Sequence, residues 1–389
     1  MRTSDVIVVG LGAMGSAACR ALAARGASVV GIDRYAPPHP LGSTHGDTRI
    51  TRLAIGEGRE YVPLVRRSHR LWREIERQTG TRLLTQAGVL VLAPAASPFL
   101  AETLGAAATH AIPHERLTHA EIGARFPMFQ VREDTVGYHE PEGGYVRPEA
   151  AVAAQLDLAR RHGAQLRLGE RVDRWRAGAG GVTVTTDAGS YAAGRLLLCA
   201  GAWVTELFPE GRDMFAVYRQ LMYWWPIDRG YEQLRDMPAF VCDLGGVQDG
   251  FVHLDGFYGF PAVDGPAGGV KLAAESFEAP SGPDGRQHPP TGSEIERIAR
   301  GYVAPYLPWL GTQPLRAASC LYTSTRGCRF VIDRHPGHES VLIVSACSGH
   351  GFKHSPAIGE AVAQWLTEDE PDIDLSPFSF DRARRAAGG

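Results

Sequence analysis

Gly10-Leu11-Gly12-Ala13-Met14-Gly15, near the start of the chain, carries three glycines at the spacing that brings backbone against a pyrophosphate. Gly10 would make the tight turn, Gly12 would leave room for the phosphates, and Gly15 would let a helix pack closely on a strand. Free N–H groups and the positive end of the helix dipole then face the negative charge. Asp33, eighteen residues beyond Gly15, is placed to accept hydrogen bonds from ribose hydroxyls. An acid at that point disfavours a 2′-phosphate, so the expected ligand is FAD or NAD rather than NADP.

A second chemical signal is compositional. Of 40 basic residues only Lys271 and Lys353 are lysines; the rest are arginines. A compact ammonium and a planar guanidinium are not interchangeable, so each surviving lysine invites a chemical reason. Lys271 lies in the apolar run Val270–Ala274, read as a buried strand, where an ammonium must find partners or shift its pKa. Lys353 ends Ser348-Gly349-His350-Gly351-Phe352-Lys353, a glycine-rich entry to a helix expected at about 356–366. Arg49 and Arg52 close a Pro/Gly/polar loop that starts at Tyr35 and contains Ser43-Thr44-His45-Gly46-Asp47-Thr48. Loops of this length in compact domains usually carry function. If a helix begins there, the two arginines, three apart, share one side of it. Cys320, in Cys320-Leu321-Tyr322-Thr323, is by type alone a small buried hydrophobe.

The elements that must position these residues can be read from pattern. Asp5–Val9 is a β-branched apolar run of a central parallel strand; Ser16–Arg25 follows as helix, stopped at Gly26, and 27–33 is a second strand. Helices are expected over 60–79, 98–109, 118–125 and 149–162, with a turn over 143–148. Segments 165–168, 172–175, 181–186 and 190–193 read as an antiparallel excursion. The strand 195–199 then runs into a second small-residue turn at Ala200-Gly201-Ala202-Trp203, which fits a flavoprotein better than a simple NAD dehydrogenase. From Met214 to Leu272 the chain is strand-rich and aromatic, including Phe251, and suggests a mixed sheet forming a cavity wall. Residues 279–292 read as a surface loop, the part from Arg316 returns to an α/β pattern, and the tail beyond Asp381 is expected to fray.

At 389 residues, two domains or one elaborated domain are expected. A net charge of −3 argues against nucleic acid or an anionic membrane as partner. No apolar run reaches membrane-span length, no secretory signal core is recognisable, and six scattered cysteines show neither metal spacing nor a disulfide framework. A cytoplasmic protein without a metal is the expectation.

Taken together, the glycine fingerprint, the His45–Arg49 loop with Arg52, Val270-Lys271, Cys320-Leu321-Tyr322-Thr323 and Ser348-Gly349-His350-Gly351-Phe352-Lys353-His354 resemble the monomeric sarcosine oxidase and N-methyltryptophan oxidase family, over nearly the whole chain to about residue 366. The resemblance implies an α/β (mixed α+β) fold with a Rossmann-like FAD-binding domain (1–86, 147–213 and 314–380) and a substrate domain on a mixed sheet (87–146 and 214–313). It implies covalent FAD, held by a thioether from Cys320, with Cys347 as the rival position. Cofactor contacts follow at Gly10, Gly12, Ala13, Met14, Gly15, Asp33, Arg34, Ser43, Val172 and Gly201, and at Gly349, Gly351, Phe352 and Lys353.

By the same resemblance, Lys271 would sit at the flavin's reactive face through a water and assist oxygen reduction. Arg49 and His45 would stabilise negative charge on the flavin ring, with Asp47 anchoring their loop. Arg52 and Lys353 would bind the substrate carboxylate, and Tyr258 and Tyr322 would shape the cavity. The implied reaction oxidises a secondary amino acid with O2 as acceptor, in a monomer. This chain departs from the pattern at Glu275, where sarcosine-type members carry a histidine. Glu275 would favour a cationic or more polar substrate, or would pair with another group, and is the one candidate base. Trp224-Trp225 could accommodate a larger, aromatic substrate. A fructosyl-amino-acid oxidase or an amine dehydrogenase is the nearest alternative. An NAD-dependent dehydrogenase and a non-catalytic dinucleotide-binding module are rivals of other classes.

Overall fold

The computed structural model describes residues 2–245, 256–277, 279–284, 288–368 and 370–387. Phe251 and part of the 279–292 loop lie outside the described residues.

The strand Arg2–Val9 lies at the heart of the first of two eight-stranded sheets. It pairs in parallel with Val29–Asp33 on one side and Gly189–Leu198 on the other. Successive side chains leave opposite faces of a strand. Val6 and Val8 join Leu22, Leu197 and Leu342 under the helices, whereas Ile7 and Val9 join Val30, Ile32, Leu196 and Ile343 on the other side. Burial on both faces explains why the run is apolar without a break; each such side chain stabilises the fold by roughly 1.5–3 kcal/mol. The helices Ala13–Ala24, Pro148–Arg161 and Ser355–Thr367 pack together over this sheet. The segment Gln165–Leu168 is not part of the antiparallel excursion; it extends the sheet in parallel beyond Val29–Asp33. Only Val172–Gly178 and Gly181–Thr186 meander, onto the first half of Gly189–Leu198, which runs unbroken where two strands were expected.

The second sheet is mixed, in the order Arg316–Thr325, Phe215–Trp225, Val270–Ala274, Gly256–Phe260, Ala239–Asp243, Val89–Pro94, Thr135–Glu140, Glu115–Leu117. Every neighbour is antiparallel except Ala239–Asp243 with Val89–Pro94. Arg316–Thr325 does not return to an α/β pattern, because it pairs along its length with Phe215–Trp225, from Phe215↔Thr325 to Trp224↔Arg316. Val270 and Leu272 face a core with Tyr223, Trp225 and Phe257, while Ala273 faces the opposite way with Met222, Trp224 and Cys320. That second face looks toward the site.

Arg49–Thr51 is a strand, paired with Gly144–Val146, which in turn meets Leu84–Thr85. The turn expected over 143–148 therefore contains a strand, and no helix begins at Arg49. Arg49 lies on the strand and Arg52 just past its end, and the two serve different neighbours: Arg49 bonds Thr48 and Ser43, Arg52 bonds Ala54 and Glu57. The segment beyond Asp381 is helical as far as it is described, not frayed. Phe380–Ala387 is a helix whose Phe380 and Ala383 are buried, and the Phe380 N–H donates to Asp333 (2.9 Å).

Candidate active site

One long cavity runs from the glycine fingerprint to Glu275 and Tyr322. Gly10 has φ +87°, and a Cβ there would lie 2.3 Å from the Cys199 carbonyl oxygen. A Cβ on Gly15 would fall 1.7 Å from the Gly10 carbonyl oxygen, so only glycine permits the strand and helix to meet. Gly12 is different: the nearest atom to its Cβ position is Thr44 Oγ1 at 3.7 Å, which leaves its backbone open to a ligand. Ala13 and Met14 line the cavity beside it. Asp33 accepts N–H groups from Leu11 (2.7 Å) and Tyr35 (2.8 Å) and lines the cavity. Each carboxylate oxygen has a second lone pair to offer a ribose hydroxyl. Burial raises the Asp33 pKa against the pull of those two N–H bonds. Arg34 lies over the Trp203 ring (5.0 Å) and donates to Glu206 (3.2 Å). Val172 and Gly201 line the same end.

Farther along, the Ser43–Arg49 loop meets the open face of the second sheet. Arg49 donates to the carbonyls of Thr48 and Ser43, both at 2.8 Å, and to Cys320 Sγ at 3.8 Å. Cys320 itself donates to Ser43 O (3.5 Å). Ser43 and Arg49 line the cavity, Cys320 lies directly behind them, and the rival Cys347 is itself at the wall. His45 Nε2 is buried with no hydrogen-bond partner among the described residues. Burial, then the charges of Arg49 and Lys271, hold the imidazole pKa down to about 4, so the ring is neutral and that nitrogen is open to a ligand. Lys271 Nζ donates to Gly46 O (2.5 Å), Thr48 O (3.0 Å) and Thr48 Oγ1 (3.3 Å). It does not line the cavity, and burial followed by Arg49 lowers its pKa well below the usual lysine range.

At the far end the buried Arg52 fork spans Ala54 O and Glu57 Oε2, both at 2.7 Å. Lys353 Nζ donates to His350 O (2.8 Å) and lies 3.8 Å from Glu57 Oε1. Burial favours the neutral acid, yet Arg52 and Lys353 hold the Glu57 carboxyl far below the carboxylate range. Burial lowers Lys353 to about 8. Glu275 follows directly on the strand that carries Lys271 and Ala273 and lines the cavity; burial, then the Glu57 charge, raises it to about 8. Gly349 (φ +80°) is glycine for a reason: its Cβ would lie 2.8 Å from Glu275 Oε1 and 2.9 Å from the Tyr322 ring. Gly351 likewise clears the Ala346 carbonyl, and Phe352 lines the cavity while stacking on Trp72. The hydroxyls of Tyr258 and Tyr322 are 2.9 Å apart, and burial pushes Tyr258 up to about 12 and Tyr322 well above its usual value.

Trp224 and Trp225 do not form a substrate wall. Adjacent strand residues point oppositely, so Trp225 enters the core behind the sheet, while Trp224 lies between Arg316 (3.7 Å from its ring) and Lys271 (5.5 Å). Three carboxylates escaped the sequence: Glu57, Glu149, whose Oε1 accepts the N–H groups of Gly46 (2.6 Å) and Asp47 (3.2 Å), and the fully buried Glu140, which accepts from Leu53, Ala54 and Tyr138. The Gly56-Glu57-Gly58 sequence was the one local hint; the other two partners are distant in sequence.

The open glycine backbone, the ribose-facing acid, the unpartnered His45 nitrogen and the length of the cavity all fit FAD. Among the described residues there is no cluster that could hold a metal and no helix long and apolar enough to cross a membrane. Residues 5–365 match the family of FAD dependent oxidoreductases (DAO), and the chain belongs to it. Its sequence is 40% identical to a monomeric sarcosine oxidase of Streptomyces avermitilis over 365 residues, 93% of each chain. It is 35% identical to an N-methyl-L-tryptophan oxidase of Salmonella arizonae, covering 97% of this chain and 98% of that one. The fold superposes on NikD, an amino acid oxidase essential for nikkomycin biosynthesis, with a TM-score of 0.82 at 25% identity, covering 97% and 98% of the two chains.

Proposed function

We propose that this protein oxidises the C–N bond of a secondary, N-methyl amino acid to an imine, which water hydrolyses, while O2 is reduced to hydrogen peroxide. The carrying observation is the convergence of Arg52 and Lys353 on a single carboxylate, Glu57, at the end of the cavity. A substrate carboxylate arriving there finds a planar fork and a point charge already oriented. FAD, when bound, accepts the two electrons that leave the substrate. Tyr258 and Tyr322 hydrogen-bond the substrate edge, and Glu275 faces its amine. His45 and Arg49 face the flavin, and Arg49 supplies positive charge where negative charge develops. Lys271 supplies the buried cation that stabilises reduced oxygen. Cys320 provides the thioether tether. Cytoplasmic, monomeric action belongs to the same reading, which the names of the sarcosine oxidase relatives support for the monomer. Glu275, half-buried at the cavity wall, favours one second reading, a more polar substrate such as a fructosyl amino acid.

The test is anaerobic mixing of the yellow protein with a panel of N-methyl amino acids, followed by air. Bleaching with at least one member and stoichiometric peroxide on re-oxidation are expected. Failure of every N-methyl amino acid to bleach the flavin, or re-oxidation without peroxide, would overturn the proposal.

A further inference from the structure

Glu149 stands in the first turn of the helix Pro148–Arg161, and its bonds cross to the Ser43–Arg49 loop. The peptide between Gly46 and Asp47 has its N–H directed to Glu149 Oε1 (3.2 Å) and its carbonyl to Lys271 Nζ (2.5 Å). A second N–H, that of Gly46, meets the same carboxylate oxygen at 2.6 Å. One anion and one cation therefore grip opposite ends of a single dipole, an arrangement in which each bond polarises and strengthens the other. The loop is left-handed at both residues, Gly46 at φ +95° and Asp47 at φ +70°. Such backbone persists where its surroundings over-determine it.

The charged and titratable groups around Lys271 come from three elements. Arg49, His45 and Asp47 belong to the loop, Glu149 to the helix, Cys320 to the strand Arg316–Thr325, and Arg316 shares the Trp224 ring. Asp47 is already paired with Arg316. Glu149 forms no ion pair among the described residues, so its charge is committed to the loop. Burial and Arg49 work against the charged lysine, while Cys320, Asp47 and Glu149 favour it.

We propose that Glu149 is a positioning residue for Lys271: acting through the Gly46–Asp47 peptide, it holds the ammonium charged and aimed at the place where oxygen is reduced. The inference rests on the oxygen role of Lys271 given above.

Two variants separate charge from clamp. Glu149→Gln keeps an acceptor oxygen and removes the charge. Its re-oxidation by O2, followed by stopped flow across pH, should lose its lysine-dependent phase at a pH lower by about one unit, so that re-oxidation is about tenfold slower on the falling limb. Flavin reduction by substrate should slow far less. Glu149→Ala removes the acceptor, and hydrogen exchange of the 43–50 segment in the full chain should accelerate about tenfold or more, with Glu149→Asp restoring most of the protection. Faster exchange in Glu149→Ala with a wild-type pH profile in Glu149→Gln would make Glu149 merely structural and overturn the proposal. A Lys271→Met protein that reacts with oxygen at the wild-type rate would overturn the oxygen role and this proposal together. Slow Lys271→Met beside unaltered Glu149→Gln would defeat this proposal alone.

Discussion

Arg52 and Lys353 come from opposite ends of the chain and share Glu57, whose two carboxylate oxygens lie 2.7 Å and 3.8 Å from their nitrogens. On the proposed function, Glu57 occupies the electrostatic place that a substrate carboxylate would take. Glu57→Gln removes this internal competitor, and a small carboxylate such as acetate should bind about tenfold tighter, a change of about 1.4 kcal/mol. Titration of the flavin absorbance with acetate measures it. Weaker binding in the variant would mean that Glu57 orients the cations more than it competes for them.

Arg52 spends its fork on Ala54 O and Glu57. A lysine cannot span two acceptors in a plane, so Arg52→Lys should raise KM for the amino acid by roughly 10–100-fold, the loss of one charge-assisted bond. A KM within twofold of wild type would remove Arg52 from the binding site.

The carboxylate end should weaken in alkali. Lys353 and Glu275 both titrate near 8. As pH rises through that value Lys353 loses a positive charge and Glu275 gains a negative one, so the site moves two charges against an anion. Acetate affinity should be level below this range and fall by about tenfold or more per pH unit above it. Glu275→Gln removes one of the two titrations and should flatten the slope. An affinity independent of pH across this range in the wild type would contradict the assignment.

The tether can be tested by acid precipitation. Flavin should remain with the wild-type polypeptide and with Cys347→Ala, and pass into the supernatant from Cys320→Ala. Cys347 lines the cavity directly and Cys320 only through Ser43 and Arg49, so the reverse pattern is a real alternative outcome and would move the link to Cys347.

What the sequence disclosed was chemistry with a local signature. The fingerprint glycines, Asp33 and the two lysines are each recognisable from type and near spacing, and the structure explains Gly10 and Gly15 by contacts under 3 Å. Arg49–Thr51 reads as loop from the sequence because its strand exists only through pairing with Gly144–Val146, nearly a hundred residues away. Arg316–Thr325 joined the second sheet for the same reason, its partner being Phe215–Trp225. Glu149 was invisible because an acid in a first helical turn is expected anyway, for the dipole. Trp224-Trp225 looked like a wall until the pleat sent them to opposite faces.

Lys271 lies on the strand Val270–Ala274 and Glu275 follows just beyond its end, four residues on, which on extended backbone is about 13 Å. That segment behaves as a ruler with a cation at one end and an acid at the other. On the proposed function, exchange of the acid would alter which amines are admitted without shifting the cation along the chain. On the proposed function, the choice of amine and the reaction with oxygen could therefore change independently of each other.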